Sequence, residues 1–334
     1  MDLATIRRRA EILAGVRSFF ARRGYTEVDT PLLAGELIPE PAIEVFRVAW
    51  RSARDALERE LYLVPSPELW MKRLLAEGSG DIFEICHCFR NVEEQGPHHA
   101  AEFSMLEWYT LGASYLESLE VTQDLLRHLG FTRPVERASV SELFQEHASI
   151  DLAPLDTEAS IRKAAADAGL SVSAESDWEE CFNKLFLSFV EPELARRGAV
   201  FVLDYPASIP TLARRKGLGP FAERWELYID GVELANCYSE ETDRETLRGY
   251  LARETARKAA ALVPHEPDRL LAELDLPACS GVALGLDRLA MVLLGLRSIE
   301  QVIFYPGFGI LKAHQAIAST SQETRSTHGH DQSR

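Results

Sequence analysis

The chain contains 334 residues, 46% hydrophobic and 26% charged, which is enough to bury the core of one large domain or two small ones. Its formal net charge is −16, and strongly acidic proteins bind phosphate backbones poorly, so composition disfavours nucleic acid as the main partner. The sequence has no apolar run long enough for a membrane-spanning helix and no signal-peptide pattern at its N-terminus, so we expect no membrane partner.

The cysteines are odd in number and contain no CxxC pair: Cys86, Cys88, Cys181, Cys237 and Cys279. This spacing argues against a disulfide framework and against a structural zinc site. We therefore expect buried free thiols and a cytoplasmic location.

The first half of the chain alternates between helical and strand patterns. A helix is predicted over residues 3–23, and a short strand follows before Pro31. Residues 60–65 predict a strand, and Ser66-Pro67-Glu68 has the features of a helix start: a serine cap, a proline and an acid. That helix ends at Gly78, and strands are predicted over residues 82–90 and 103–109.

In the second half, helical patterns cover residues 114–129 and much of 158–200, and residues 201–206 predict a strand. Residues 225–236 predict a hairpin around Asp230-Gly231, and helices are expected at 241–261 and after Gly285. Strands joined by hairpins among helices predict an α+β fold with an antiparallel sheet flanked by helices. From residue 314 the chain loses apolar content, so we expect a disordered tail over 314–334.

The hairpin over residues 82–109 is the first candidate site. Period-two alternation places Phe103, Met105, Glu107 and Tyr109 on one face, which suits a ligand with a flat base and a cationic end. Polar and charged residues lie at the end of the first strand and in the connection: Arg90, Asn91, Glu93, Glu94 and His99. The alternative is a solvated polar hairpin, although long charged loops are more often functional.

The hairpin over residues 225–240 is the second candidate site. The turn pairs Tyr228 with Glu233 and leaves Glu226 on the same face, and two such carboxylates repel each other unless a cation such as magnesium lies between them. Both could instead face solvent. Strict alternation places Asn236 and Glu240 on the opposite face, so they share this site only if the strand bulges or ends near Ala235.

The third candidate site is the segment from Gly281 to Gly295. Gly281 and Gly285 permit close approach of a ligand to the backbone. Arg288 falls in the first turn of the following helix, where a positive charge opposes the helix dipole, so it suits binding of a triphosphate or an adenine. The alternative is an exposed arginine without a function, whose unfavourable interaction with the helix dipole costs little stability.

Taken together, these segments resemble the ordered motifs of the class II aminoacyl-tRNA synthetases. FFARRGYTEVDTPLL resembles motif 1, FEICHCFRNVEE…HHAAEFSMLEWY resembles motif 2, and GVALGLDRLAM resembles motif 3. SPELWMKRLL and GVELANCYSE are similar to the lysyl branch in particular. The resemblance covers roughly residues 5–310 and implies a catalytic domain over residues 1–313.

The resemblance implies a role for each matching residue. Arg90 and Arg288 would be catalytic, with Arg90 on the α-phosphate and the amino-acid carboxylate, and Arg288 on the γ-phosphate and, opposite Phe103, on adenine. The implied ATP-binding residues are Arg90, Asn91, Glu93, His99, Phe103, Glu226, Gly285 and Arg288. The implied amino-acid-binding residues are Ser66, Glu68, Glu107, Tyr109, Asn236, Glu240 and Ala283, and Glu226 and Glu233 would bind Mg²⁺.

Within this branch the chain resembles the elongation factor P–lysine ligase family. Ser66 before Pro-Glu and Ala283 in motif 3 match that family, and motif 1 starts too early for an N-terminal anticodon-binding barrel. The resemblance implies ATP-dependent activation of lysine or (R)-β-lysine as its adenylate, transfer to a lysine ε-amine of elongation factor P, and a homodimer. Ala283 is expected to favour (R)-β-lysine, but the motifs leave both isomers open.

The sequence departs from the family pattern at three places. Val92 resembles a one-residue insertion, Ala100-Ala101 replaces the usual Asn-Pro, and Cys237-Tyr238-Ser239-Glu240 replaces Gly-Phe-His-Glu.

Three other functions stay open at this point. A truncated lysyl-tRNA synthetase-like enzyme would charge tRNA, which the acidic charge makes an unlikely partner. An asparagine-synthetase-like enzyme would need an aspartate-like substrate, which Glu68 and Glu240 would repel. A regulatory paralogue without turnover is disfavoured by the intact set of Arg90, Arg288 and the two hairpin acids.

Overall fold

A computed structural model describes residues 3–53, 57–92 and 96–304. Its helices are α1 (Leu3–Arg22), α2 (Glu68–Ala76), α3 (Tyr115–His128), α4 (Val140–Ala148), α5 (Glu158–Asp167), α6 (Trp178–Leu185), α7 (Glu191–Arg197), α8 (Arg244–Lys258) and α9 (Leu286–Leu293). A π-helical turn, Phe186–Val190, joins α6 to α7. No helix in the described ranges is both long and apolar enough to cross a bilayer. The tail predicted over residues 314–334 lies outside these ranges.

The strands are β1 (Thr26–Glu27), β2 (Leu33–Ala34), β3 (Arg47–Arg51), β4 (Glu58–Leu63), β5 (Ile82–Phe89), β6 (Glu102–Leu111), β7 (Glu136–Ser139), β8 (Ala199–Leu203), β9 (Arg224–Ile229), β10 (Val232–Ser239) and β11 (Cys279–Gly285). They form a large sheet in the order β1-β5-β6-β11-β10-β9-β8-β7 and a small sheet in the order β2-β4-β3.

The large sheet confirms the predicted α+β fold. Its inner neighbours all pair antiparallel, whereas the edge pairs β1–β5 and β7–β8 are parallel. Turn residues in the sequence indicate only pairs of strands that follow each other directly along the chain. Strands β7 and β8 are instead separated by four helices, so no turn signal indicates that they pair. The sequence pattern therefore predicted the antiparallel interior of the sheet but gave no signal for its parallel edges.

Helices α1, α3 and α9 cover one face of the large sheet. The main core lies there and includes Phe20, Leu106, Trp108 and Trp225, none of which is measurably exposed. Because β6 alternates, Phe103, Met105, Glu107 and Tyr109 point to the opposite face, where they line cavities. The predicted sharing of one face by these four residues agrees with the structure.

A second core lies at the β7–β8 edge of the sheet. It is built from α4 to α7, and Phe182 stacks on Phe144 and Trp178 with ring centroids 5.3 and 5.5 Å apart. From this unit Glu179, Phe182 and neighbouring residues form one wall of the larger cavity.

The start of helix α2 differs from the predicted one. The helix begins at Glu68 with Pro67 as its cap residue, and no side chain caps it. Ser66 lies outside the helix, with its Oγ 3.4 Å from the backbone nitrogen of Glu68. The serine is therefore available to line the small cavity described below.

All five cysteines are free and buried, as the sequence predicts. Cys86 and Cys88 lie on the same face of β5 with their Sγ atoms 3.7 Å apart. They pack against Met105 beneath the cavity floor.

A buried ion pair fastens α1 to α9. Arg9 Nη2 lies 2.8 Å from Asp287 Oδ1 and also donates to Ser104 Oγ at 2.9 Å. Asp287 Oδ2 accepts the backbone N–H of Ser104 at 2.6 Å. One carboxylate thus connects α1, β6 and α9, which are far apart in sequence.

We expect Asp287→Ala to lower the free energy of unfolding by about 3–5 kcal/mol, because it leaves the partly buried Arg9 charge and the Ser104 N–H unpaired. The control is Glu27→Ala, which removes the exposed Arg17–Glu27 pair and should cost less than about 1 kcal/mol. Urea titrations followed by tryptophan fluorescence measure both. Equal losses in the two variants would contradict the role given to Asp287.

Candidate functional site

The described residues enclose two adjoining cavities on the face of the large sheet opposite α1. The larger has a volume of ≈ 580 Å³ and the smaller ≈ 80 Å³. Both are lined by Glu40, Glu68, Arg90, Met105, Asn236, Tyr238 and Ala283. The two cavities therefore form one continuous site with Arg90 at the junction.

The small cavity brings together every residue that the resemblance assigns to the amino acid. Its lining consists of Glu40, Ser66, Glu68, Arg90, Met105, Glu107, Tyr109, Asn236, Tyr238, Glu240, Gly281, Val282 and Ala283. Strand β6 places Glu107 and Tyr109 opposite Ala283 and Gly281 of β11. This proximity agrees with the predicted grouping, while the role of each residue stays a prediction.

Glu107 is buried on β6, and one of its oxygens lacks a partner. Its Oε1 accepts a hydrogen bond from the Tyr109 hydroxyl at 2.8 Å, whereas Oε2 has no hydrogen-bond partner within the described part of the chain. Burial, and then the charge of Glu68, raises the pKa of Glu107 well above its usual range. A buried polar atom without a partner is costly, so this oxygen suits a ligand's donor.

Glu240 follows the end of β10 and is 2% exposed. Burial raises its pKa to about 7, even though the neighbouring Lys72 ammonium lowers it. The close packing of Glu240 and Tyr109 depends on Gly281. A Cβ at that position would overlap the Tyr109 ring and lie 2.5 Å from Glu240 Oε1.

Lys72 was not singled out from the sequence. Its Nζ lies 2.5 Å from Glu68 Oε1 and 2.7 Å from Glu240 Oε2, and the residue is 1% exposed. Burial opposes its charge, but the carboxylates of Glu240 and Glu68 outweigh burial and raise the pKa of Lys72. In the sequence, Lys72 four residues after Glu68 has only the pattern of an ordinary helix-surface pair.

Glu40 is a second residue that the sequence did not reveal. It lies in the segment between β2 and β3 and lines both cavities. Burial, and then the charge of Glu68, raises its pKa to about 7. No periodic pattern surrounds it, so only the folded chain shows that this loop acid reaches the site.

The two predicted catalytic arginines both line the large cavity. Arg90 follows the end of β5, its guanidinium lies 5.3 Å from the centre of the Phe103 ring, and its Nε is buried with no hydrogen-bond partner among the described residues. Arg288, in the first turn of α9 as predicted, donates from Nε to the His98 carbonyl and from Nη1 to the Glu233 carbonyl, both at 2.9 Å. Two carbonyls thus orient Arg288, whereas Arg90 keeps a donor for an anion.

A bulge in the hairpin decides which face Asn236 occupies. Glu233 pairs with Tyr228, but Ala235 pairs with Leu227, so the register shifts at Leu234. Asn236 therefore lies opposite Glu226, on the cavity side. The alternative in which the strand bulges near Ala235 is the one that the structure adopts.

Glu226 and Glu233 lie close enough to repel. Burial, and then the charge of Glu226, raises the pKa of Glu233 to about 7. Glu226 accepts hydrogen bonds from Arg224 at 2.5 Å and from the hydroxyls of Tyr205 and Tyr228 at 2.5 and 2.7 Å. The described residues hold no cluster of three or more His, Cys, Asp or Glu suited to a metal ion.

This donor set fits magnesium bound together with a nucleotide. Magnesium in such sites uses one or two carboxylates, and the ligand's phosphates and water complete its shell. A cation between Glu226 and Glu233 would also relieve the repulsion that raises the pKa of Glu233.

The remaining predicted ATP residues are distributed unevenly. His99, Phe103 and Gly285 line the large cavity, and Glu93 lies outside the described residues. Asn91 is absent from the lining that the described residues form, and its Oδ1 accepts the Val92 N–H at 2.9 Å. Val92, the residue that resembles an insertion, adopts φ +55°, a left-handed conformation that is uncommon for a β-branched residue.

Comparisons with known proteins agree with this fold. Residues 3–308 match the family of class II tRNA synthetases (D, K and N), and the chain belongs to this family. It is 38% identical over 309 residues, 89% of this chain and 93% of the other, to the elongation factor P–(R)-β-lysine ligase of Klebsiella pneumoniae subsp. pneumoniae. Proteins of the same name from Salmonella paratyphi B and Salmonella dublin are 37% identical over 312 residues, 91% of this chain and 95% of theirs. The predicted resemblance to these ligases is confirmed.

We expect Gly281→Ala to lower the free energy of unfolding by about 1–3 kcal/mol, because the added methyl group must displace Tyr109 and Glu240. The control is Gly249→Ala in α8, where a Cβ meets nothing within 4 Å. It should leave stability unchanged or raise it by up to about 1 kcal/mol. Urea titrations of both variants measure this, and a Gly281→Ala protein as stable as wild type would contradict the close packing.

Proposed function

We propose that the protein activates lysine or (R)-β-lysine with ATP as an aminoacyl-adenylate and then transfers the aminoacyl group to the ε-amine of a lysine on elongation factor P. The observation that carries this proposal is the position of Arg90 at the junction of the two cavities. Adenylate formation requires the amino-acid carboxylate to meet the α-phosphate, and one cation at that point attracts both anions.

The small cavity favours a substrate with two ammonium groups. Four carboxyl groups line it, from Glu40, Glu68, Glu107 and Glu240. Buried acids are stabilised by cations that replace water, whereas an acidic side chain would add repulsion. This lining supports lysine or its β-isomer and disfavours aspartate.

The large cavity supports ATP. Phe103 offers a ring for the base, Arg288 offers a fixed guanidinium for phosphate, and Glu226 and Glu233 would hold a magnesium ion whose charge neutralises phosphate oxygens when it is bound. The relatives named above are elongation factor P–(R)-β-lysine ligases, and their name supports both the amino acid and the acceptor.

The proposed reaction needs no covalent bond to the protein. The amino-acid carboxylate attacks the α-phosphorus of ATP, the bond to the β-phosphate oxygen breaks, and pyrophosphate leaves. The acceptor amine then attacks the adenylate carbonyl, loses a proton, and releases AMP as the amide forms. Catalysis rests on positioning and on charge stabilisation by Arg90 and Arg288. We propose a cytoplasmic homodimer as the working form.

The experiment that tests the proposal measures ATP–pyrophosphate exchange with α-lysine, (R)-β-lysine and aspartate. We expect exchange with a lysine isomer and none with aspartate, because the carboxylates of the small cavity repel an acidic side chain. Mass spectrometry after incubation with elongation factor P or tRNA then identifies the acceptor. Exchange with aspartate alone, or transfer to tRNA alone, would refute the proposal.

Arg90→Ala should abolish amino-acid-dependent exchange and leave the fold intact, because Arg90 is the cation where carboxylate and α-phosphate meet. The matched control is Arg127→Ala on α3, an exposed arginine paired with Asp124, which should keep wild-type exchange. Circular dichroism and the exchange assay measure the two effects. An active Arg90→Ala enzyme would remove the main support for the site.

A further inference from the structure

Lys72 lies behind the small cavity and is not part of its lining. The lining includes Glu68 and Glu240, and Lys72 contacts these two carboxylates from the protein interior at 2.5 and 2.7 Å. Its side chain is 2% exposed. The ammonium therefore does not fill the space that a substrate would take, and both acids face it on one side and the cavity on the other.

Stability alone does not explain a cation at this depth. Lysine is almost never fully buried unless it is paired, and apolar residues of similar volume often stabilise a protein as well as a buried ion pair does. Helix α2 already buries Leu69, Met71 and Leu75. A methionine-like side chain at position 72 would pack beside these residues but would leave Glu68 and Glu240 without their cation, so the reason for the charge lies in these two acids.

The formal charges around the cavity supply that reason. Four acids and two cations surround it, and burial disfavours the ionised form of Glu107, which already accepts a hydrogen bond from the Tyr109 hydroxyl. Counted in their ionised forms, Glu40, Glu68 and Glu240 carry −3 and Lys72 carries +1, which leaves −2 for the two ammonium groups of a diamine. Arg90 remains for the carboxylate of the substrate. With Lys72 the site is balanced for lysine, and without it one negative charge would be in excess.

We propose that Lys72 is a positioning residue that determines specificity, because its ammonium compensates one carboxylate charge behind the cavity and so sets the site for a substrate with two ammonium groups. This inference rests on the proposed activation of lysine. Lys72 would act on the substrate through Glu68 and Glu240 and would not contact the substrate itself.

Removing the ammonium should change how substrate binding depends on pH. Burial raises the pKa of Glu240 to about 7, and Lys72 lowers that pKa, so Lys72→Met must raise it further. Binding of a diamine requires the ionised carboxylate and is lost as pH falls through this pKa. The loss should therefore begin at a higher pH in the variant than in wild type. The titratable and charged groups around Lys72 and Glu240 are Glu40, Glu68, Arg90, Glu107, Tyr109, Cys237, Tyr238, Tyr250 and Cys279.

The experiment measures pyrophosphate exchange of the full chain between pH 6 and 9 with lysine and with norleucine, which lacks the side-chain amine. For Lys72→Met we expect the KM for lysine at pH 7 to rise about fivefold, as a pKa shift of one unit upward from about 7 implies, and to recover toward wild type at pH 9. The preference for lysine over norleucine should fall by a similar factor at pH 7. The KM for ATP should not change.

Arg73→Met is the matched control. Arg73 follows Lys72 on α2 and donates from Nη2 to the buried carboxylate of Asp268 at 2.7 Å, and in the described structure neither Arg73 nor Asp268 lines either cavity. It should keep the wild-type pH profile. A second test variant, Glu68→Gln with Lys72→Met, removes one charge of each sign and should return the pH midpoint toward wild type even if affinity falls.

The outcomes separate the two proposals. A wild-type enzyme that is active with lysine, with an unchanged pH midpoint in Lys72→Met, would show that Lys72 is only structural and would overturn the inference. A midpoint that the double variant fails to restore would also overturn it, because charge compensation would not be the cause. A wild-type chain that exchanges with no diamine would refute the proposed function instead.

Discussion

The concentration of carboxyl groups beside one small cavity is the constraint on which the rest of the site depends. Glu40, Glu68, Glu107 and Glu240 come from a loop, a helix, a strand and a strand end, and all line about 80 Å³ of space. Buried acids raise one another's pKa values, so each needs a cation, a donor or a proton. Lys72, Arg90 and Tyr109 supply some of these cations and hydrogen-bond donors. The acids that they leave uncompensated determine which charged groups a ligand must bring.

Local irregularities in the large sheet, rather than its regular pairing, bring the side chains of the site together. The bulge at Leu234 brings Asn236 to the side of Glu226, and Gly281 leaves the space in which Tyr109 and Glu240 approach each other. Both features weaken a strand as such, since a bulge disrupts the ladder and a glycine packs no side chain. The surrounding core, with Trp108 and Trp225 fully buried on the other face, keeps the strands in place.

The sequence predicted the interior of the fold and most of the site because those features have local signatures. Alternation placed Phe103 to Tyr109, the Asp230-Gly231 turn placed the hairpin, and the ordered motifs located Arg90 and Arg288. Lys72 and Glu40 were missed because their importance arises from contacts across long sequence separations. Lys72 meets Glu240 from a helix 168 residues earlier, and Glu40 lies in a loop without periodicity. The parallel edges of the sheet were missed for the same reason.

The burial of all five cysteines has a practical consequence for work on this molecule. The thiolate is the reactive form, and burial raises the pKa of Cys237 well above its usual range and that of Cys279 to about 12. Alkylating reagents should therefore modify the native protein slowly and the unfolded chain quickly. A single cysteine introduced on an exposed position, such as Arg127, would then be a selective attachment point for a fluorophore without prior removal of the natural thiols.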